Sequence, residues 1–356
     1  MKPVQATSRA PERNLDVLRA LAVLLVVGDH SAKFFGAPPA WCDPLGGIGV
    51  KLFFVHTCFV LMLSLERQTA RSSRHVSREF YVRRFFRIYP LSVFAVLGVT
   101  LFAIPAAYIS GPWQIAASPR DVPTVLSNLA LTMNLTGATP ILGQLWSLPL
   151  EVQMYLLLPA LFFFARKTTM RTMAAVWVAA VGVALFQEYA PVPGMWRLTL
   201  AQYLPCFIPG VMAYVGLRRG PRFASALWIP TIVTLCAISY GIGTQAGDWL
   251  LCLAIGCLAP QFEEMSRRAV TTAAHHIATY SYGLYLAHVF CLWLAFTFVR
   301  APFPVQIVLW IAALFLVPFA AYHVIEAPAI RLGVRVARGS RAAVEVPVAA
   351  ASASAP

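Results

Sequence analysis

Charge is what this sequence has least of. Only 12% of its 356 residues are Asp, Glu, Lys or Arg, while 59% are hydrophobic; soluble globular chains carry about a quarter charged. With a mean hydropathy of +0.69, a water-soluble fold is excluded. The fold class is all-α, a polytopic integral membrane bundle. Signatures of metal and nucleotide sites are missing too. There is no HExxH, no CxxC pair and no carboxylate cluster at ligand spacing, so no metal is expected. Neither a Walker nor a dinucleotide glycine fingerprint occurs, and without GxSxG a serine nucleophile elbow is not expected. The seven cysteines lie mostly within apolar runs and read as small core residues. No repeat of about 20–50 residues is visible, nor is inverted symmetry between halves.

What the chain does have is long apolar runs. A segment crossing about 30 Å of hydrocarbon needs roughly 17–25 residues, and ten are expected, at 16–35, 47–65, 87–109, 144–165, 172–188, 198–217, 225–242, 247–261, 278–298 and 304–325. The eighth is short and interrupted by Gly256. With the N-terminus placed in the cytoplasm, the outer side holds Lys33, Lys51, Arg120, Arg197 and Arg300, and the inner side holds the other Lys and Arg of the 28. That asymmetry follows the positive-inside rule with both ends cytoplasmic. The net charge of +14 is therefore read as topology, and nucleic acid is not an expected partner. The expected organisation is a cytoplasmic tail over 1–14, a membrane domain over 15–332 and a disordered cytoplasmic tail over 333–356. The first apolar run is expected to be retained, and no appended soluble domain is expected. The outer connection from about 110 to 143 is long and carries an amphipathic run from Val122 to Leu135, and such loops usually have a role.

Several ionisable residues sit where an apolar span does not need them. In the first span Arg19 and His30 are eleven residues apart, so at about 100° per residue they share a face, roughly 16 Å apart along the axis. A charge inside a span is costly and marks a functional site by default. Before the third span, Arg83 with Arg87 (i, i+4) and Arg84 with Arg87 (i, i+3) would place guanidiniums on one side of a helix. Such a cluster grips phosphate oxygens; the plainer alternative is an anchor for lipid headgroups. The fourth span opens with Trp146, Glu151, Gln153 and Tyr155. Glu151 is placed to orient or balance His30 or Arg19, to bind an acceptor hydroxyl, or to make a structural ion pair with Arg87 or Arg19. His56 and His288, in the second and ninth apolar stretches, read most simply as structural hydrogen-bonders. Glu326 is expected to pair with Arg331, while His75, His275 and His276 are expected in solvated inner loops.

Taken in order, these residues resemble the membrane-bound acyltransferase family 3, bacterial integral membrane proteins that O-acylate sugars and polysaccharides. The matching marks are Arg13, Asp16, Arg19 and His30; the run Gly49 to Val55; the run Tyr81 to Pro90; Trp146 to Tyr155; Tyr280 to His288; and Glu326 to Pro328. The resemblance implies a bacterial inner membrane location, an acyl-CoA donor (acetyl-CoA) used from the cytoplasmic side, and a carbohydrate or glycan acceptor among membrane lipids. It makes His30 the candidate general base and Arg19 its electrostatic partner, and beside them Glu151 is taken from its place in the fourth span as a further catalytic candidate. Arg83, Arg84 and Arg87 become the grip on the CoA phosphates, and Trp146, Tyr155 and His288 contact substrate. The alternative from another class is a transporter or exporter with buried proton-coupling residues. A third reading is an enzyme-dead relative, because where the family usually reads Phe-Phe-Val-Leu-Ser-Gly-Phe this chain has His56, Thr57 and Cys58. Lys51 also stands where an acidic residue is common.

Overall fold

The computed structural model describes residues 12–71, 75–189, 194 and 197–338. Among these, ten long helices account for the ten expected spans: α1 (Glu12–Phe34), α2 (Pro39–Arg71), α3 (Val76–Leu101), α6 (Leu148–Lys167), α7 (Met170–Tyr189), α8 (Leu200–Gly216), α9 (Trp228–Ile242), α10 (Gln245–Leu258), α11 (Arg268–Trp293) and α12 (Phe303–Ala321). Eight helical stretches are long and apolar enough to cross a bilayer. The two outside that set are α1, which carries Arg19, Asp29 and Lys33, and α10, whose 14 residues span only about 21 Å.

α1 is central, packed against α2 and α11. Its buried positions Leu15, Leu18, Ala22 and Val26 recur at helical spacing. A Cβ on Gly49 of α2 would stand 2.7 Å from the Ala22 carbonyl oxygen, so the two backbones approach there as in small-residue membrane contacts. On its other side α2 meets α8 through Gly210, where a Cβ would strike the Val55 carbonyl and stand 2.6 Å from the Cys58 Cβ. α8 in turn meets α10 where Gly256 faces Pro209. The outermost helices keep large apolar side chains on their outer faces, for example Phe315 and Leu316 on α12, 73% and 66% exposed. In a bilayer such surfaces face acyl chains, and each helix satisfies its own backbone.

Between α3 and α6 the chain forms a folded insert. A hairpin of β1 (Ile109–Gly111) and β2 (Gln114–Ile115) leads to α4 (Val122–Ala130) and α5 (Met133–Thr136), then a 3-10 turn over Gly143–Ser147. The amphipathic run, placed by the sequence within a long outer loop, forms helix, broken at Leu131, whose φ of 54° puts it in the left-handed region. Asp121 caps α4 by accepting from Thr124 N–H at 2.9 Å. Asn128 clamps the insert, donating to Thr139 O at 3.0 Å and accepting from Ile141 N–H at 2.8 Å. Gln144 then donates to Leu286 O of α11 at 2.7 Å, seating the 3-10 turn inside the bundle.

Three expectations change. α2 and the start of α3 run well beyond their apolar stretches, because hydropathy marks the part that crosses lipid while helical hydrogen bonding continues into the charged ends; at its other end α3 stops at Leu101, short of the expected 109, where Ala103 turns left-handed and the chain enters the hairpin. For the same reason His275 and His276 lie on α11, where His275 Nδ1 is 2.9 Å from Asp16 Oδ2. The last helical stretch continues to Arg338. The rest of the predicted C-terminal tail, and residues 1–11 of the N-terminal one, lie outside the described residues.

The Gly210 crossing yields a direct test. Gly210→Val should destabilise the detergent-solubilised protein by about 1–3 kcal/mol or more through overpacking, seen as a lower melting temperature. Gly241→Ala, where a Cβ meets nothing within 4 Å, should change it little.

Candidate active site

The sequence scatters its charged intramembrane residues over four spans; the fold gathers most of them around one cavity. Arg19 from α1, His56 and Thr57 from α2, Arg84 and Arg87 from α3, Glu151 and Tyr155 from α6, and Ser281, Tyr282 and Tyr285 from α11 all line it. Its volume is about 80 Å³, room for a handful of water-sized groups.

Arg19, Arg87 and Glu151 are each held by a partner. Arg19 Nε donates to Ser281 Oγ at 2.6 Å, and Ser281 donates to Ala278 O at 2.7 Å. The Arg19 guanidinium also lies 5.9 Å from the Phe53 ring centre. Tyr155 donates its hydroxyl to Glu151 Oε2 at 2.7 Å, one turn along the same helix. Arg87 pairs with Glu326, which is 1% exposed. This corrects the expected Glu326–Arg331 pair: a neighbour on its own helix is outcompeted by a cation that α3 brings to the bundle interior. Arg84 also faces the cavity, and its buried Nε has no hydrogen-bond partner. Arg83 is not among the lining residues; it lies 3.6 Å from Glu79. The i, i+3 pair therefore reaches the site, and the third arginine turns aside. Three guanidiniums meet Glu151 and Glu326 here, an excess of positive charge suited to an anion.

His30 and His288 stand beyond this cavity. Their rings are 4.9 Å apart, with His288 Nε2 3.1 Å from His30 Nδ1. His288 Nδ1 lies 3.2 Å from Leu284 O and His30 Nδ1 lies 3.0 Å from Val26 O. Carbonyls only accept, so in the neutral rings both Nδ1 atoms carry hydrogen. The single His30 Nδ1 hydrogen is then shared between Val26 O and His288 Nε2, and the lone pair of His30 is left on Nε2. Helical rise puts His288 about 10 Å beyond Ser281, and His30 about 16 Å beyond Arg19. Tyr285 lies between, its ring 6.3 Å from that of His288. Its hydroxyl donates to Gln144 O at 2.7 Å, which leaves Ser147 Oγ as donor to Tyr285 at 2.8 Å.

Trp146 is not gathered in. It is 37% exposed and packs on Tyr203, ring centres 5.6 Å apart. Sequence reasoning in turn passed over Ser147, Ser281, Tyr282 and Tyr285, although all four lie in the stretches it singled out. Their spacing from Glu151 and His288 at helical periods was the available signal. His56, read as structural, is 3% exposed on the cavity wall with its Nδ1 unpartnered.

Truncating one member of a buried ion pair leaves the other uncompensated. Arg87→Met should therefore cost about 3–5 kcal/mol, and Arg87→Met/Glu326→Leu should recover much of it. Thermal unfolding of the three proteins checks this.

A family model described as an acyltransferase domain matches residues 12–323. Nodulation protein 10 of Rhizobium leguminosarum bv. viciae is 25% identical over 326 residues, covering 81% of this chain and 85% of that protein. Peptidoglycan O-acetyltransferase OatA of Listeria monocytogenes is 27% identical over 176 residues, covering 45% of this chain and 25% of that protein. No solved structure matches. The matched span begins at the first residue of α1, reaches into the last membrane-crossing stretch and takes in every residue lining the cavity; this chain belongs to acyltransferase family 3, as a membrane-embedded acyltransferase.

Proposed function

We propose that this protein moves an acetyl group from acetyl-CoA to a hydroxyl of a sugar or polysaccharide acceptor, with His30 as the general base. The observation that carries this reading is the His30–His288 contact at 3.1 Å, set above a cavity lined by arginines. An OatA-like acceptor chemistry and an acetyl group are both supported by that relative's name.

A sugar hydroxyl is a poor nucleophile at neutral pH, and a positioned base typically contributes about 10² to 10⁴ in rate. His30 Nε2 takes the hydroxyl proton as the oxygen attacks the thioester carbonyl carbon. The negative charge passes to the carbonyl oxygen; Arg19, well down α1 from His30, acts on it at long range through the positive field of the arginine cavity and not as a hydrogen-bond donor. Collapse breaks the C–S bond, and the CoA thiolate leaves with the proton held by His30. His288 accepts from His30 Nδ1–H, fixing the tautomer that makes Nε2 the base. Arg84 and Arg87 carry the grip on the CoA phosphates, with Arg83 beside them on α3. Glu151, held by Tyr155, balances this positive charge, and Trp146 contributes on the acceptor side. Acetyl-CoA is used from the cytoplasmic face of a bacterial inner membrane, with both chain ends on that face. Membership in an acyltransferase family sets the transport alternative aside.

His30→Ala should abolish acetyl transfer to glycan while the protein still accumulates in the membrane. His288→Leu should lower kcat by about 10²-fold or more, and His288→Gln, which keeps an acceptor, should recover part of it. Radiolabelled acetyl transfer in membranes reads all three, and full activity in His30→Ala would remove the central assignment. Acetyl-CoA at a hundredfold excess over Kd should stabilise the purified protein by about 2.7 kcal/mol. Arg84→Ala should lose that stabilisation at the same concentration, measured by thermal unfolding.

A further inference from the structure

A second cavity lies apart from the one just described, on the opposite face of α2. Helix alternation places it at the α9–α10 turn, the same end of the bundle as His30. Pro44, Ile48 and Lys51, at i, i+4 and i+7 of α2, form one wall, facing Tyr203 of α8 and Asp248 of α10. Its volume is about 330 Å³, within the roughly 300–1,000 Å³ usual for small-ligand sites.

The lining is unlike that of a structural void. Asp248 is held from two sides, by the Lys51 ammonium and by the Ser239 hydroxyl at 2.9 Å. Both members of the ion pair keep 15–18% side-chain exposure, so they reach the cavity instead of being sealed from it. Gln202 and Gln245 add two side-chain amides, and neither has a side-chain hydrogen-bond partner among the described residues. Trp249 and Tyr203 supply aromatic surface. Fixed carboxylate and ammonium groups, amides that both donate and accept, and aromatic rings match the alternating hydroxyls and C–H faces of a pyranose. The charges cancel within the cavity, which disfavours phosphate or an acidic sugar. Tyr203 also touches Trp146, whose neighbour Ser147 lines the arginine cavity. The pocket is thus linked through adjoining residues to the catalytic region.

We infer that this pocket is a binding subsite for an uncharged sugar unit of the acceptor glycan, held by Asp248, Lys51, Gln202 and Gln245 against Tyr203. The inference rests on the glycan reading of the active site. It assigns acceptor recognition to a place distinct from the acetyl-transfer centre, and it gives Lys51 and Asp248 a purpose that an ion pair alone does not, since desolvating such a pair gains little stability.

The test uses the detergent-purified full chain and a β-1,4-linked N-acetylglucosamine tetramer as probe, followed by saturation-transfer NMR and by acetyl transfer from acetyl-CoA. Asp248→Asn keeps shape and removes charge, and Gln202→Ala/Gln245→Ala leaves the ion pair intact. Both variants should bind the tetramer at least tenfold more weakly and raise its KM by a similar factor, with acetyl-CoA stabilisation unchanged. Unaltered affinity in both variants, or no tetramer binding by the wild type at millimolar probe, overturns the subsite. Tetramer binding lost in the variants without any acetyl transfer by the wild type keeps the subsite and removes the catalytic reading. Transfer with an unchanged KM in the variants does the reverse.

Discussion

A guanidinium surrounded by hydrocarbon must be met by an opposite charge or by hydrogen-bond acceptors, and much of this structure follows from that requirement. Arg19 reaches Ser281, Arg87 reaches Glu326, and Glu151 is held by Tyr155 among three arginines. These contacts join α1 to α11 and α3 to the end of the α12 stretch, so satisfying the charges also fixes which helices are neighbours. The same groups that would be prohibitive singly become tolerable as a set, and the set leaves an excess of positive charge in the cavity.

α2 divides the work of the bundle. One face packs against α1 through Gly49, and an adjoining face gives Phe53, Thr57 and Val60 to the arginine cavity. The opposite face gives Pro44, Ile48 and Lys51 to the second cavity. Gly210 on α8 makes room for Cys58 and the Val55 carbonyl. The close packing that a Ser-Gly step on α2 would provide is supplied here by a glycine on the partner helix, which is how His56-Thr57-Cys58 is accommodated. Lys51 is likewise compensated, by Asp248 on α10, far along the chain.

The placement of polar groups has a direction. The arginines lie toward the end where α1 begins, the histidine pair lies further along, and the folded insert closes the opposite end. There Trp113 N–H donates to Phe34 O at 2.8 Å, and the Trp113 ring packs on Phe34, Phe35 and Phe296. Tyr285, held by Gln144 and Ser147, stands between the arginines and the histidine pair.

The sequence by itself determined the helical membrane fold, the ten spans and the family resemblance, because apolar length and the spacing of charges along a helix are local properties. It also singled out Arg19, His30, Glu151 and the cluster of Arg83, Arg84 and Arg87 as ionisable residues in or beside apolar spans, while His288 read as structural. Helix ends were less legible, since hydropathy reports solvent and not hydrogen bonding; α2, α3 and α11 all outrun their apolar cores. Only the tertiary structure decided the partners. It placed Glu326 on Arg87 instead of Arg331, turned Arg83 toward Glu79, set Trp146 against Tyr203, and brought His288 Nε2 to His30 Nδ1. Those contacts join residues as many as 258 positions apart, and their geometry depends on how helices cross, which no local spacing encodes.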